Sequence, residues 1–207
     1  MVLLSIQLII ITTKYKYRFK DFFLVFHKEE HMNIVFVGMP GSGKTTLSEP
    51  VAKRLNKTFV ELDTKIEEKM GMPLQAYMDT YGNEAFKDKE RQILMDFFQS
   101  AHNAVLSPPG SLIYYPELLE YIRENASRFV VFYLKCDLDV VLKRTNHFEN
   151  RGVLLDKSLE NPYRVLYEER TPLYEAMSHH VLDANDSSED NTRIIVDVLD
   201  NHYTKSI

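Results

Sequence analysis

Apolar residues along this chain alternate between two rhythms. Short β-prone runs recur at Ile34-Val35-Phe36-Val37, in "TFVELD" from Thr58 to Asp63, around Ala104–Ser107, in "RFVVFYLKC" from Arg128 to Cys136, and in "HVLDA" from His180 to Ala184. Between them, apolar positions fall three or four residues apart, the spacing of a helix with one buried face. Leu47, Val51 and Leu55 mark the first such helix, although Pro50 inside it should remove a hydrogen bond and kink it. Asp63 is placed to cap a second helix that runs through Lys69 and stops at Gly71. A longer helix follows, with Phe86, Ile93, Leu94, Phe97, Phe98 and Ala101 on one face. Further helices are predicted near Pro116–Asn125, over "DLDVVLKRT", over Asn161–Ser178, and around Ile194, Ile195, Val198 and Leu199. Strands alternating with helices predict an α/β fold: a parallel sheet of about five strands with helices on both faces. The polar "NHFENRG" from Asn146 to Gly152 interrupts the pattern and is expected to be a mobile lid.

Composition narrows this picture without redirecting it. A chain of 207 residues with 44% hydrophobic content supports one well-cored domain. A formal charge of −5 offers no basic footprint for nucleic acid, so small-molecule chemistry is favoured. Cys136 is the only cysteine, which rules out an intrachain disulfide and suits a reducing cytoplasm. The adjacent His179 and His180 lack helical metal-ligand spacing, and no zinc site is expected. Residues 1–31 begin with an apolar stretch too short to span a membrane and without a basic signal-peptide start. Three readings stand for them: an upstream mistranslated start, an appended segment, or a weak membrane-surface anchor, with the folded domain occupying 32–207.

The strongest chemical signal is "NIVFVGMPGSGKTT", Asn33 to Thr46. Gly38-x-x-x-x-Gly43-Lys44-Thr45 follows a strand and opens a helix, as a phosphate-binding loop requires. Glycines let backbone N–H groups turn inward around anionic oxygens, Lys44 brings a point charge to the outer phosphates, and Thr45 offers a hydroxyl to Mg²⁺. Gly38, Gly41, Ser42, Gly43, Lys44, Thr45 and Thr46 are therefore the candidate ATP-binding residues.

Beyond this loop, several segments resemble the shikimate kinases in order and spacing, from about Asn33 to Tyr203. "FVELDTKIEEKMG" resembles the family's strand with two acids one residue apart, here Glu61 and Asp63. "GNEAFKDKE", "LKRTNHFENRGVLL" and "YEERTPLYEA" resemble its acceptor segment, its lid and its glutamate-arginine-asparagine-proline-leucine-tyrosine segment. The resemblance implies transfer of phosphate from ATP to shikimate, a step in aromatic amino acid biosynthesis, by a monomer. It also implies roles: Glu61 with Thr45 toward Mg²⁺, Asp63 as the carboxylate that binds the acceptor's hydroxyls and takes a proton, Arg144 against adenine, Arg151 swinging in with the lid, and Arg170, Lys87 and Gly110 on the substrate. For each there is a plainer reading: Asp63 as a helix cap, Arg144 and Arg151 as solvated charges, Arg170 paired with the glutamates beside it.

Two departures touch the acceptor side. Lys87 stands where the family has an arginine, keeping the charge without a planar two-point grip. "VLSPPGS" places Pro108, Pro109 and Gly110 where three glycines are expected, and proline has no N–H to donate. Two alternatives therefore stay open: a relative with another acceptor, and a nucleotide-binding regulatory module without turnover.

Overall fold

Asn33–Val37 is buried at every position, which a strand achieves only when both of its faces are covered, because successive side chains point to opposite sides. It is the centre of the sheet. The structure, a computed structural model, describes residues 32–144 and 160–203; the segment 1–31 and the expected lid with Arg151 lie outside the described residues. Five strands, β1 (Asn33–Val37), β2 (Thr58–Glu61), β3 (Ala104–Ser107), β4 (Phe129–Lys135) and β5 (His180–Asp183), pair in the order β2-β3-β1-β4-β5. Every pairing is parallel, with Ile34 opposite Val105 and Val130, and Phe132 opposite His180.

The connections are helical: α1 (Lys44–Arg54), α2 (Leu62–Met70), α3 (Leu74–Tyr81), α4 (Asn83–Ser100), a 3-10 turn (Gly110–Tyr114), α5 (Pro116–Glu124), α6 (Leu138–Arg144), α7 (Pro162–Met177) and α8 (Ser188–Tyr203). Buried Phe36, Phe98, Phe129 and Phe132 fill the space between helices and sheet, with ring pairs at 5.9 Å (Phe36–Phe132) and 5.6 Å (Phe98–Phe129). The buried Asn33 side chain pins the entering ends of three strands. Its Nδ2 donates to the Ala101 and Arg128 carbonyls, both at 3.2 Å, and its Oδ1 accepts from the Ala104 N–H at 3.0 Å. His179 bridges in the same way, its Nδ1 accepting from the Val131 N–H at 2.9 Å, while His180 stacks on Phe132.

Two local expectations need correction. The long helix after Gly71 is two helices, α3 and α4, separated at Gly82. Gly82 has φ +85° and ψ 165°, a backbone conformation open essentially only to glycine. Asp63 does not cap α2: the cap position falls on Glu61, with no side-chain capping bond, and Asp63 lies inside the first turn. Pro50 lies inside α1, which runs on to Arg54. Pro50 sits on the exposed face, where water can serve the carbonyl that loses its partner, and exposed Pro172 within α7 is accommodated in the same way.

Candidate active site

The loop between β1 and α1 lies at the carboxyl end of the central strand, and Gly38, Gly41 and Gly43 all take positive φ there. Lys44, the first residue of α1, folds back along the loop, its Nζ donating to the Gly38 carbonyl at 2.9 Å and the Met39 carbonyl at 3.2 Å. Its charge is thus held over the hollow where N–H groups converge. Ser42 is buried, and its N–H donates to the Met39 carbonyl at 3.1 Å. Arg144, at the end of α6, lies against the outer side of the loop with Nη1 3.5 Å from the Ser42 carbonyl. Thr45 Oγ1 donates to Glu61 Oε2 at 2.5 Å, joining the start of α1 to the end of β2. A hydroxyl and a carboxylate in contact beside a phosphate loop form an oxygen donor pair of the kind Mg²⁺ takes alongside phosphate oxygens.

A cleft of about 340 Å³ opens from this loop. Gly41, Gly43, Lys44, Thr45, Thr46 and Glu61 line one side of it. Asp63, Glu90, Pro109, Gly110, Ser111 and Arg170 also line it. Asp63 is half-buried in the first turn of α2, and its carboxyl is pushed up to about 7. Burial is the main cause; Lys44 works against it, while Glu61, Glu90 and Glu67 add to it. A carboxyl group so tuned can hold or release a proton near neutrality.

Arg170, from α7, is only 4% exposed yet reaches the cleft. Its Nε donates to the Tyr114 hydroxyl at 3.1 Å, and its guanidinium carbon lies 5.0 Å from the centre of the Tyr114 ring. Gly110 packs so closely here that a Cβ would meet Arg170 Nη1 at 2.7 Å and the Tyr174 hydroxyl at 2.8 Å. Tyr174 donates to the Gly110 carbonyl at 2.9 Å, and Tyr163 donates to the Pro40 carbonyl at 2.8 Å, so α7 braces both the 3-10 turn and the phosphate loop.

Lys87 stands apart. Its Nζ pairs with Glu84 at 2.7 Å on the exposed face of α4, outside the cleft lining. Pro108 is likewise buried behind the lining, so Pro109 alone of the two prolines withdraws an N–H from the cleft wall. Glu90 and Ser111 of this wall, and the nearby Tyr114 and Tyr115, were not singled out from the sequence. Glu90, 2% exposed, accepts from Ser111 Oγ at 2.7 Å and from the Tyr115 hydroxyl. Its carboxyl is pushed up by burial, which these two bonds and Arg170 partly offset. Its position could have been read, because residue 90 falls on the same apolar stripe as Phe86, Ile93 and Leu94, and all four are buried.

A five-stranded parallel sheet with a phosphate loop after its central strand, opening on a cleft that holds a second set of polar groups, defines a nucleotide-dependent small-molecule kinase of the phosphate-loop class. Solved structures agree on the fold. The shikimate kinase from Acinetobacter baumannii in complex with shikimate superposes with a TM-score of 0.73 at 28% identity, covering 85% of this chain and 96% of that one. A gluconokinase from Sinorhizobium meliloti, with a TM-score of 0.55 at 18% identity over 87% of this chain and all of that one, shares the fold alone. The family model for shikimate kinase matches residues 40–200. The shikimate kinase of Burkholderia lata is 32% identical over 156 residues, 75% of this chain and 83% of that protein. That of Vibrio parahaemolyticus is 33% identical over 159 residues, covering 77% and 90%. The chain belongs to the shikimate kinase family.

Proposed function

We propose that this kinase transfers the γ-phosphoryl group of ATP to a hydroxyl of shikimate. The observation that carries the reading is the convergence of Lys44, Asp63, Gly110 and Arg170 on one cleft, with a loop for phosphates and a guanidinium and a carboxyl group for a hydroxylated acid. Lys44 neutralises charge on the outer phosphates, with Gly38, Gly41, Ser42, Gly43 and Thr46 shaping the loop around them. Thr45 and Glu61 hold Mg²⁺, which when bound screens the phosphate oxygens. Arg144 is assigned by family resemblance to cover the adenine. Arg170 receives the acceptor's carboxylate beside Gly110, which leaves the hydroxyls toward Asp63. Asp63 takes the proton of the attacking hydroxyl as its oxygen bonds to the γ-phosphorus and the bond to ADP breaks. Arg151 is assigned by family resemblance to neutralise the transferring group, with Asn146–Gly152 closing as the lid.

A competing reading, a relative rebuilt for another acceptor, draws on Lys87 paired with Glu84 and on the N–H missing at Pro109. An acceptor screen with shikimate among the hydroxy acids and polyols, read by ADP release, decides between them. Saturable turnover of shikimate at about 1–100 s⁻¹, the range of ordinary kinases, is expected. Faster turnover of another acceptor with shikimate inert overturns the reading.

A further inference from the structure

With Lys87 engaged by Glu84, Lys44 and Arg170 are the cations among the described residues that line the cleft, and Lys44 is bound to the phosphate loop. Recognition of an acid by the acceptor wall then falls on Arg170. A lone guanidinium grips a carboxylate well only when its plane is fixed in advance, because a swinging arginine loses rotamer freedom on binding. We infer that Tyr114 is the residue that fixes it, a specificity-determining positioning residue for the acceptor's carboxylate; this rests on the acceptor reading given above.

Tyr114 acts on Arg170 in two ways. Its hydroxyl accepts from Nε at 3.1 Å, and its ring lies beneath the guanidinium, with the carbon 5.0 Å from the ring centre. Nε is the donor on the stem side of the fork, so the bond to Tyr114 uses neither terminal nitrogen; the Tyr174 hydroxyl, which also bonds the guanidinium, is a second contact on it. Tyr114 itself is anchored because the 3-10 turn that carries it is held at both ends. Tyr174 donates to the Gly110 carbonyl at 2.9 Å, and Ser111 and Tyr115 both donate to the buried Glu90 of α4. The wall, which among the described residues has no second acceptor cation, thus has a stacked and hydrogen-bonded first one.

The test compares wild type with Tyr114→Phe, which keeps the ring and loses the hydroxyl, and Tyr114→Leu, which loses both, using the full chain, ATP and shikimate. Tyr114→Leu should raise the KM for shikimate about tenfold or more, with kcat within about threefold and the KM for ATP unchanged. Tyr114→Phe should recover most of that loss. A melting temperature for each variant reports folding, and a fall in shikimate affinity with an unchanged KM for ATP is not what general unfolding produces. Unchanged shikimate KM in both variants, or losses shared equally by ATP and shikimate, overturns the inference while the acceptor reading survives. A wild type inert toward shikimate overturns the acceptor reading and the inference with it.

Discussion

Asp63 carries two opposed pressures on one carboxyl group. Burial and the neighbouring Glu61, Glu90 and Glu67 favour the proton, Lys44 favours the charge, and the balance falls at about 7. A base must be unprotonated, so below that value the active fraction should fall about tenfold per pH unit, and above it kcat/KM for shikimate should level off. A profile of kcat/KM against pH should place the inflection near 7 and lose it in Asp63→Asn, whose residual rate should be lower by about 10²-fold or more. A flat wild-type profile from pH 5.5 to 8 would remove Asp63 from the role of base. Lys44→Ala should lose at least about 10²-fold in kcat, because the charge it brings counts most as the phosphoryl group transfers. Near-normal turnover by a folded Lys44→Ala protein would contradict the kinase mechanism. The phosphate loop was legible because its chemistry needs a fixed local spacing, whereas Asp63 was singled out for the site only through the family resemblance. The fate of Lys87 was not, since only the helix geometry of α4 shows that Glu84, three residues earlier, takes its charge outside the cleft.

The turn at Gly82 is a test of how an element boundary is enforced. A Cβ built there meets nothing within 4 Å, so an alanine is resisted by the backbone conformation alone. Gly82→Ala should therefore cost roughly 1–3 kcal/mol of stability and leave kcat close to wild type, as measured by denaturant unfolding and a steady-state assay at low temperature. No loss of stability would mean that α3 and α4 can join into one helix. The apolar rhythm of Phe86, Ile93 and Leu94 marked α4 correctly, but Leu74 and Met78 of α3, both buried, share a helical rhythm of their own, and periodicity alone did not separate the two. The five strands were readable as β-prone runs, with "TFVELD" ending two residues early at Glu61. The 3-10 turn was not readable, because Ser111 and Tyr115 acquire their purpose from Glu90, some twenty residues away in sequence and adjacent only in the fold.

Across the whole molecule, a buried histidine and a half-buried aspartate act in opposite directions on stability. His179 is lowered to about 4, by burial and then by His180, so the unfolded chain binds its proton first on acidification. Its contribution is complete above pH 6.5 and is lost as pH falls toward 4, roughly 3 kcal/mol in all. Asp63 is raised, so the folded state keeps its proton longer and stability declines as pH rises from about 4 to 7. His179→Asn, whose side-chain oxygen can still accept from the Val131 N–H, should flatten the acid loss of melting temperature between pH 6.5 and 4 without changing the order of the sheet. An acid limb as steep as in wild type would place the titrating group elsewhere.

The strand order also sets a timetable for the chain leaving the ribosome. β1 is made first, yet its partners are β3 and β4, so Ile34 waits for Val105 and then for Val130 before both of its edges are closed. Until then the four consecutive apolar residues Ile34–Val37 stay without their ladder, a segment prone to capture by other nascent chains. Such distant pairing makes refolding slow for a domain of this size. The loop that grips phosphate hangs from that waiting strand, so nucleotide affinity is expected to appear only with the docking of β4. Pulse-labelled hydrogen exchange during refolding should find β1 and β4 amides gaining protection together, in the same phase in which nucleotide affinity appears.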